Sequence, residues 1–394
     1  MQELKEEIKE EKKDKEYGNQ KKTIVLSGGG TGGSVAPLLA LVEDLKLSGY
    51  NPVWFGTKDG VEKVMVEPYT LPYYSLPAGK FRRYWSFRNF TDIFKIKIAF
   101  FKSLSLLFKL KPTCLITAGA FVSVPTVWAA WCLRIPVVVH QQDIRPGLAN
   151  RLMAPFAKTI TVTFEKNLKD YGSKAIWLGN PVNKEFRIIK TITEAEKNIK
   201  QDSHHQVFNN TLPTILVLGG GTGSLAINDL VKTSLNDLLS FAKVVHVGGF
   251  LRNKEEEGEK ERNEDKQDKE KINGQYVYHK FLDSRSLSLV MREADLVITR
   301  AGLSTLTELC SLKKLCIIIP MPNSHQEDNA AYFAKQGAAL VLWQKDLNKE
   351  TLLSLIKDIL QDKNQQEEFK RNISKIMKEG ANENMLEIIK KLSS

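Results

Sequence analysis

Apolar residues in this chain fall in short unbroken runs, and two of those runs lead into the same unusual sequence. Thr23-Ile24-Val25-Leu26 precedes Gly28-Gly29-Gly30-Thr31-Gly32-Gly33-Ser34, and residues 35–45 then show apolar positions at helical spacing. Thr214-Ile215-Leu216-Val217-Leu218 precedes Gly219-Gly220-Gly221-Thr222-Gly223-Ser224 and an apolar helix through Leu230. Each reads as a strand, a glycine-rich turn and a helix. Glycines permit positive φ and let a ligand approach backbone N–H groups. One such turn is weak evidence; two in one chain are much stronger.

Further buried-type strands are predicted near Val53, Cys114, Val137, Ile160 and Ile176, and near Val244, Tyr276, Leu296, Cys316 and Ala339. Helical or loop sequence separates each from the next, which is the alternation of a parallel sheet wrapped by helices. The predicted class is α/β: two doubly wound, Rossmann-like domains facing a central cleft. Residues 21–183 form the first and 214–394 the second, with a polar linker over 184–213. Residues 1–20 read as a charged tail without a signal peptide, 253–271 as a solvated charged insertion, and 352–392 as terminal helices with apolar stripes.

Length agrees with two domains, since 394 residues exceed the size at which one core stops growing. Residues 113–133 carry no charge over 21 positions, long enough to span a bilayer. Ala118-Gly119-Ala120 and Pro125 interrupt them, so a strand, a turn and a buried helix from Thr126 is the simpler reading. Cys114, Cys132, Cys310 and Cys316 lie in apolar runs without metal spacing and read as buried free thiols, with no structural metal implied.

The net charge of +11 is uneven: between residues 80 and 111, nine basic side chains face one acid, Asp92. They interleave with aromatic residues and no nucleic-acid motif accompanies them, so an anionic membrane surface is the favoured partner and nucleic acid is not. Lys80, Phe81, Arg82, Arg83, Tyr84, Trp85, Phe87 and Arg88 form the expected contact, while Ile93, Ile96 and Phe100 are expected to pack inward. An ordinary amphipathic helix is the alternative.

Several motifs recur in a recognisable order. They are Gly29-Gly30-Thr31-Gly32-Gly33-Ser34 with Pro37; Gly119-Ala120-Phe121-Val122-Ser123-Val124-Pro125; His140-Gln141-Gln142-Asp143; and Pro146-Gly147-Leu148-Ala149-Asn150. Gly179-Asn180-Pro181-Val182, the second glycine turn, Arg300-Ala301-Gly302-Leu303-Ser304-Thr305-Leu306-Thr307-Glu308, and His325-Gln326 before Asn329-Ala330 complete the set. Together they resemble the MurG family of peptidoglycan glycosyltransferases over nearly the whole chain after residue 22. The resemblance implies a GT-B fold, donor in the C-terminal domain and a lipid-linked acceptor reaching the N-terminal one. It implies inverting transfer of N-acetylglucosamine from UDP-N-acetylglucosamine to the 4-hydroxyl of undecaprenyl-pyrophosphoryl-muramyl-pentapeptide. No cofactor or metal is implied, and the enzyme would sit peripherally on the cytoplasmic face of the membrane.

Donor contacts follow from that resemblance and from chemistry. Gly220, Gly221, Thr222, Gly223 and Ser224 offer N–H groups and hydroxyls to a diphosphate, although such turns also serve tight strand-to-helix packing. Glu308, placed at the start of the helix after Gly302, matches the family's ribose-binding acid. Arg300, Leu303, Ser304, Thr305, Leu306 and Thr307 would line base and phosphate, with Phe281 and Leu282 as an apolar wall or as core. His325, Gln326 and Asn329 suit sugar hydroxyls, with a plain surface turn as the alternative.

Three positions depart from the family at the reacting face, where Thr31, Gly32 and Gly33 are also expected to touch substrate. Ser34 replaces His, Asp143 replaces Asn, and Asn183 replaces Arg. A serine hydroxyl is a poor general base near neutral pH. Asp143, a carboxylate whose pKa a partly desolvated cleft can raise, is the candidate base or orienting group, with Ser34 hydrogen-bonding the acceptor or donor sugar and His140 as a further candidate base. Asp143 as a sugar-hydroxyl acceptor, or as a cap before Pro146, stays equally open. Competing functions are a UDP-N-acetylglucosamine 2-epimerase, a transferase acting on another lipid such as diacylglycerol, and a non-catalytic nucleotide-sugar binder.

Overall fold

The computed structural model describes residues 22–77, 87–187, 212–220, 223–249, 271–272 and 274–393. The expected tail over 1–20, most of the linker, the insertion through residue 270, Lys80 to Trp85, and Gly221 with Thr222 lie outside the described residues, as do the side chains of Phe87 and Arg88.

Two sheets carry the chain. The first has β1 (Thr23–Ser27), β2 (Asn51–Thr57), β3 (Tyr73–Leu76), β4 (Cys114–Thr117), β5 (Val137–Gln141), β6 (Thr159–Val162) and β7 (Ala175–Trp177). Their order is β3-β2-β1-β4-β5-β6-β7. Central β1 pairs in parallel on both sides, Ser27 standing opposite Phe55 of β2 and Thr117 of β4. The strand order reverses between β1 and β4, and a crevice opens beyond the carboxyl ends of the strands at such a point. The first glycine turn leaves β1 there.

The second sheet has β8 (Thr214–Leu218), β9 (Lys243–Val247), β10 (Lys271–Ile272), β11 (Tyr276–His279), β12 (Leu296–Thr299), β13 (Cys316–Ile318) and β14 (Leu340–Val341). In the order β10-β11-β9-β8-β12-β13-β14, only β10 runs antiparallel. Its reversal falls between β8 and β12, next to the second glycine turn. The α/β, doubly wound class is therefore correct. Strands β3 and β10 were not predicted: β3 is half-exposed over three of its four residues and has no continuous apolar run, and β10 is two residues long.

Sequence chemistry explains the local breaks. Uncharged residues 113–133 fold as β4, a left-handed pair at Gly119 (φ 114°) and Ala120 (φ 78°), and the helix Ser123–Cys132. That helix starts before Thr126 because Pro125 sits in its first turn, where no N–H is needed. Cys114, Cys310 and Cys316 are buried free thiols, but Cys132, last in its helix, is exposed, contrary to expectation. Ser224, Asp283 and Ser324 each cap the helix that follows by accepting backbone N–H bonds.

By contact density the chain divides into two units. One comprises Met1–His140, Leu148–Ile160 and Glu383–Ser394; the other comprises Gln141–Gly147 and Thr161–Asn382. The loop 141–147 thus belongs with the unit that holds the second sheet. Helices Lys349–Gln361 and Lys363–Ile376 cover that sheet with Leu352, Ile356, Ile359 and Phe369, in the core formed by Ile215, Val217 and Ile298.

Candidate functional site

In the first unit, the turn after β1 is held from beneath. Gly30 donates its N–H to Glu62 Oε2 at 3.0 Å, and Ser34 Oγ donates to the Gly29 carbonyl at 2.9 Å. The N–H groups of Thr31, Gly32, Gly33 and Ser34 have no acceptor among the described residues. The Thr31 carbonyl also lies 3.2 Å from Ser34 Oγ, so the Ser34 hydroxyl hydrogen is spent inside the turn. His140, in β5, is 1% exposed. A ring so enclosed offers a substrate little surface, and Asp143, half-buried, is the more accessible of the two candidate bases.

The second glycine turn rests on another stretch of backbone. Gly220 and Gly223 have φ of 82° and 80°, and a Cβ on Gly249 would lie 2.4 Å from Gly223 N. Behind the turn, His246 Nε2 pairs with Asn228 Oδ1 at 3.0 Å and its Nδ1 with the Tyr276 hydroxyl at 3.2 Å, while Asn228 Nδ2 donates to the Gly248 carbonyl at 3.2 Å. Burial holds the His246 pKa down to about 4. Ser224 Oγ accepts from Ile227 N at 3.3 Å, so the cap uses its oxygen and leaves its hydrogen to donate.

After β12, the helix Leu303–Leu312 turns two faces in different directions. Leu303 and Leu306 turn their side chains into the hydrophobic core, leaving only main-chain groups for a ligand. Ser304, Thr305 and Glu308 are half-buried on the other face. Glu308 lies in the second helical turn rather than at the start, and burial raises its pKa to about 8. Arg300 is engaged structurally: Nη1 donates to the Ile319 and Pro320 carbonyls and to Gln344 Oε1 at 3.0–3.1 Å.

Three motifs meet around Ala301. Gln326 Oε1 accepts from Ala301 N at 3.2 Å and from Met321 N at 3.1 Å. Asn329 Nδ2 donates to the Ala301 carbonyl at 3.2 Å and to Asp143 Oδ1 at 3.4 Å, and Asn329 Oδ1 is buried without a partner among the described residues. Gln142 donates to Asn180 Oδ1 at 3.4 Å, and Asn180 donates to Thr307 Oγ1 at 2.6 Å. Asp143 itself is fixed by Gln141, whose Nε2 donates to the Asp143 and Arg145 carbonyls at 2.8 and 3.2 Å.

Opposing influences leave the Asp143 pKa raised. Desolvation raises its pKa most; the Asn329 hydrogen bond and His325 oppose the rise, and nearby Asp328 adds to it. Phe281 is exposed, Leu282 is half-buried against the core, and Asn183 Nδ2 lies 3.5 Å from Ser284 Oγ.

The chain matches the glycosyltransferase family 28 N-terminal domain over residues 24–162 and the family's C-terminal domain over residues 214–384. A Clostridium botulinum protein named UDP-N-acetylglucosamine--N-acetylmuramyl-(pentapeptide) pyrophosphoryl-undecaprenol N-acetylglucosamine transferase is 33% identical over 375 residues, covering 94% of this chain and 99% of that one. A crystal structure of Acinetobacter baumannii MurG superposes with a TM-score of 0.68 at 22% identity, covering 94% of this chain and 99% of that chain. This chain belongs to the MurG family.

The MurG fold is shared more widely. A UDP-N-acetylglucosamine 2-epimerase superposes with a TM-score of 0.58 at 12% identity over 93% of this chain and 95% of its own, a likeness of fold alone. Glu62, His246, Asn228 and Gln141 escaped the sequence reading of this MurG-family chain. Only Gln141 lay inside a quoted motif; the other three occupy ordinary helix and strand positions, and only tertiary packing reveals their partners.

Proposed function

We infer that this chain transfers N-acetylglucosamine from UDP-N-acetylglucosamine to lipid-linked muramyl-pentapeptide. The observation that carries the reading is the convergence of Asp143, Asn180, Gln326 and Asn329 on the segment 300–308, at the carboxyl end of β12. The sequence relationship to named transferases favours transfer over epimerisation.

In this reading the diphosphate lies on the amides of the second glycine turn, the ribose hydroxyls on Glu308, and sugar hydroxyls on Gln326 and Asn329. Asn329 Oδ1, buried and unpaired, is where a ligand hydroxyl is expected. The acceptor 4-hydroxyl attacks the anomeric carbon: the new C–O bond forms as the bond to UDP breaks, configuration inverts, and the hydroxyl proton passes to Asp143. A raised pKa suits a carboxylate to that task. The four unpaired amides of residues 31–34 serve the acceptor.

Attachment to a lipid surface is the second part of the proposal. In the helix Phe87–Leu110, Phe94, Ile98, Phe101 and Phe108 are 55–67% exposed, and their spacing places them on one face. Exposed Lys95, Lys97, Lys102 and Lys109 flank that face, while Ala99, Ser103 and Leu107 are buried and Ile96 and Phe100 half-buried, as expected for the inward side. No helix among the described residues is long and apolar enough to cross a membrane. The whole reading is tested by incubating the protein with labelled UDP-N-acetylglucosamine and lipid-linked muramyl-pentapeptide in acidic-lipid vesicles, scoring transfer of label to lipid.

A further inference from the structure

Glu62 is completely buried, yet no cation pairs with it among the described residues. Instead three donors converge on its carboxyl group. Gly30 N reaches Oε2 at 3.0 Å, Thr57 N reaches Oε1 at 2.7 Å, and the Thr57 hydroxyl also donates to Oε1. Tyr73 OH, donating to the Thr57 carbonyl at 2.6 Å, braces the end of β2 that supplies the two Thr57 donors.

The carboxyl group also dictates where glycine is required. A Cβ on Gly29 would lie 2.4 Å from Glu62 Oε1, and one on Gly60 would lie 2.2 Å from Oε2. Gly60 has φ −84°, open to any residue, so its lack of a side chain makes room for the carboxyl rather than for a turn. Glu62 and Ser34 moreover grip the same peptide unit from opposite ends. Ser34 holds the carbonyl of Gly29 and Glu62 holds the N–H of Gly30, which has φ 79°. Fixing that plane fixes the direction of the next amides, those of residues 31–34, which have no acceptor among the described residues.

We propose that Glu62 is a positioning residue for the acceptor: by clamping the Gly29–Gly30 peptide against Ser34, it aims the unpaired amides of residues 31–34 at the lipid-linked substrate. Its significance for catalysis rests on the transferase reading above; the clamp itself does not. Glu62 touches no substrate, and no proton passes through it.

Glu62→Gln is the informative variant, because a side-chain amide offers one acceptor oxygen to three donors and one side of the clamp must open. Residue-resolved hydrogen exchange is read first. The Gly30 amide should be protected in the parent and exchange at least about ten-fold faster in Glu62→Gln, with β8 and β12 unchanged. Kinetics are read second. kcat/KM for the lipid-linked acceptor should fall by about 10²-fold, the scale of a roughly 1 Å misplacement, while the Kd for UDP-N-acetylglucosamine, measured by calorimetry, stays within about two-fold.

A parent Gly30 amide that exchanges like an unprotected one overturns the clamp, and this measurement stands even if the variant fails to fold. Faster exchange with unchanged acceptor kinetics overturns the positioning role. A parent that transfers no sugar while Gly30 shows the expected exchange contradicts the transferase reading and leaves the clamp intact.

Discussion

Asn329 uses one amide nitrogen twice, donating to Asp143 Oδ1 at 3.4 Å and to the Ala301 carbonyl at 3.2 Å. The candidate base is thereby tied to the start of the segment expected to hold the donor. Replacing Asp143 with Asn should lower kcat by roughly 10²–10⁴ with donor affinity nearly intact. Because the hydrogen bond from Asn329 opposes the upward shift of Asp143, Asn329→Leu should push the acidic limb of the pH–rate profile to higher pH. Near-parental turnover in Asp143→Asn would exclude it as the base.

Glu308 links donor binding to pH. Burial places its pKa at about 8, so much of it is protonated at neutrality in the free protein. Ribose hydroxyls donating to it favour the ionised form, so binding should release a proton and affinity should rise as pH climbs toward 8. Calorimetry in buffers of differing ionisation enthalpy measures that proton. Glu308→Ala should abolish the linkage and weaken binding by roughly 1–3 kcal/mol.

The same carboxyl makes a stability statement. Its pKa is about 8 when folded against 4.5 unfolded, so its contribution is fully present below 4.5 and is lost as pH rises to about 8. Chemical denaturation across that interval should show Glu308→Gln declining less than the parent.

His246 works in the opposite sense. Its folded pKa is about 4 against 6.5 unfolded, so its stability is complete above 6.5 and is lost as pH falls toward 4. His246→Phe should flatten that acid decline. It should also cost about 1–3 kcal/mol at pH 7.5 by stranding Asn228 and Tyr276, and should weaken donor binding because Asn228 holds Gly248.

On the helix Phe87–Leu110, each lysine near an anionic surface contributes about 1 kcal/mol. Lys95, Lys97 and Lys102 changed together to Glu should abolish cosedimentation with acidic vesicles, and high salt should mimic the change. Phe94→Ser with Phe101→Ser should weaken binding with charge unchanged. Equal binding by both variants would make this face an ordinary solvated one.

Much of the fold was legible because parallel strands buried on both faces leave continuous apolar runs, as at Thr214 to Leu218, and because glycines mark both switch points. Tyr73-Tyr74-Ser75-Leu76 escaped because it is half-exposed over three of its four residues and leaves no such run. Within the site, donor residue types were readable but their orientations were not. Leu306 and Ser304 stand two positions apart on one helix, and only packing decides that the first is core. Glu62 and His246 were silent because their importance lies in partners such as Gly30 and Asn228, far away along the chain.

The most direct test of transfer is the product itself. Purified protein, given labelled UDP-N-acetylglucosamine and undecaprenyl-pyrophosphoryl-muramyl-pentapeptide in acidic vesicles with a chelator present, should yield labelled lipid-linked disaccharide of inverted anomeric configuration, strongly diminished in Asp143→Asn. Release of free sugar, conversion of the donor to its 2-epimer, or donor binding without any label reaching lipid would contradict the account.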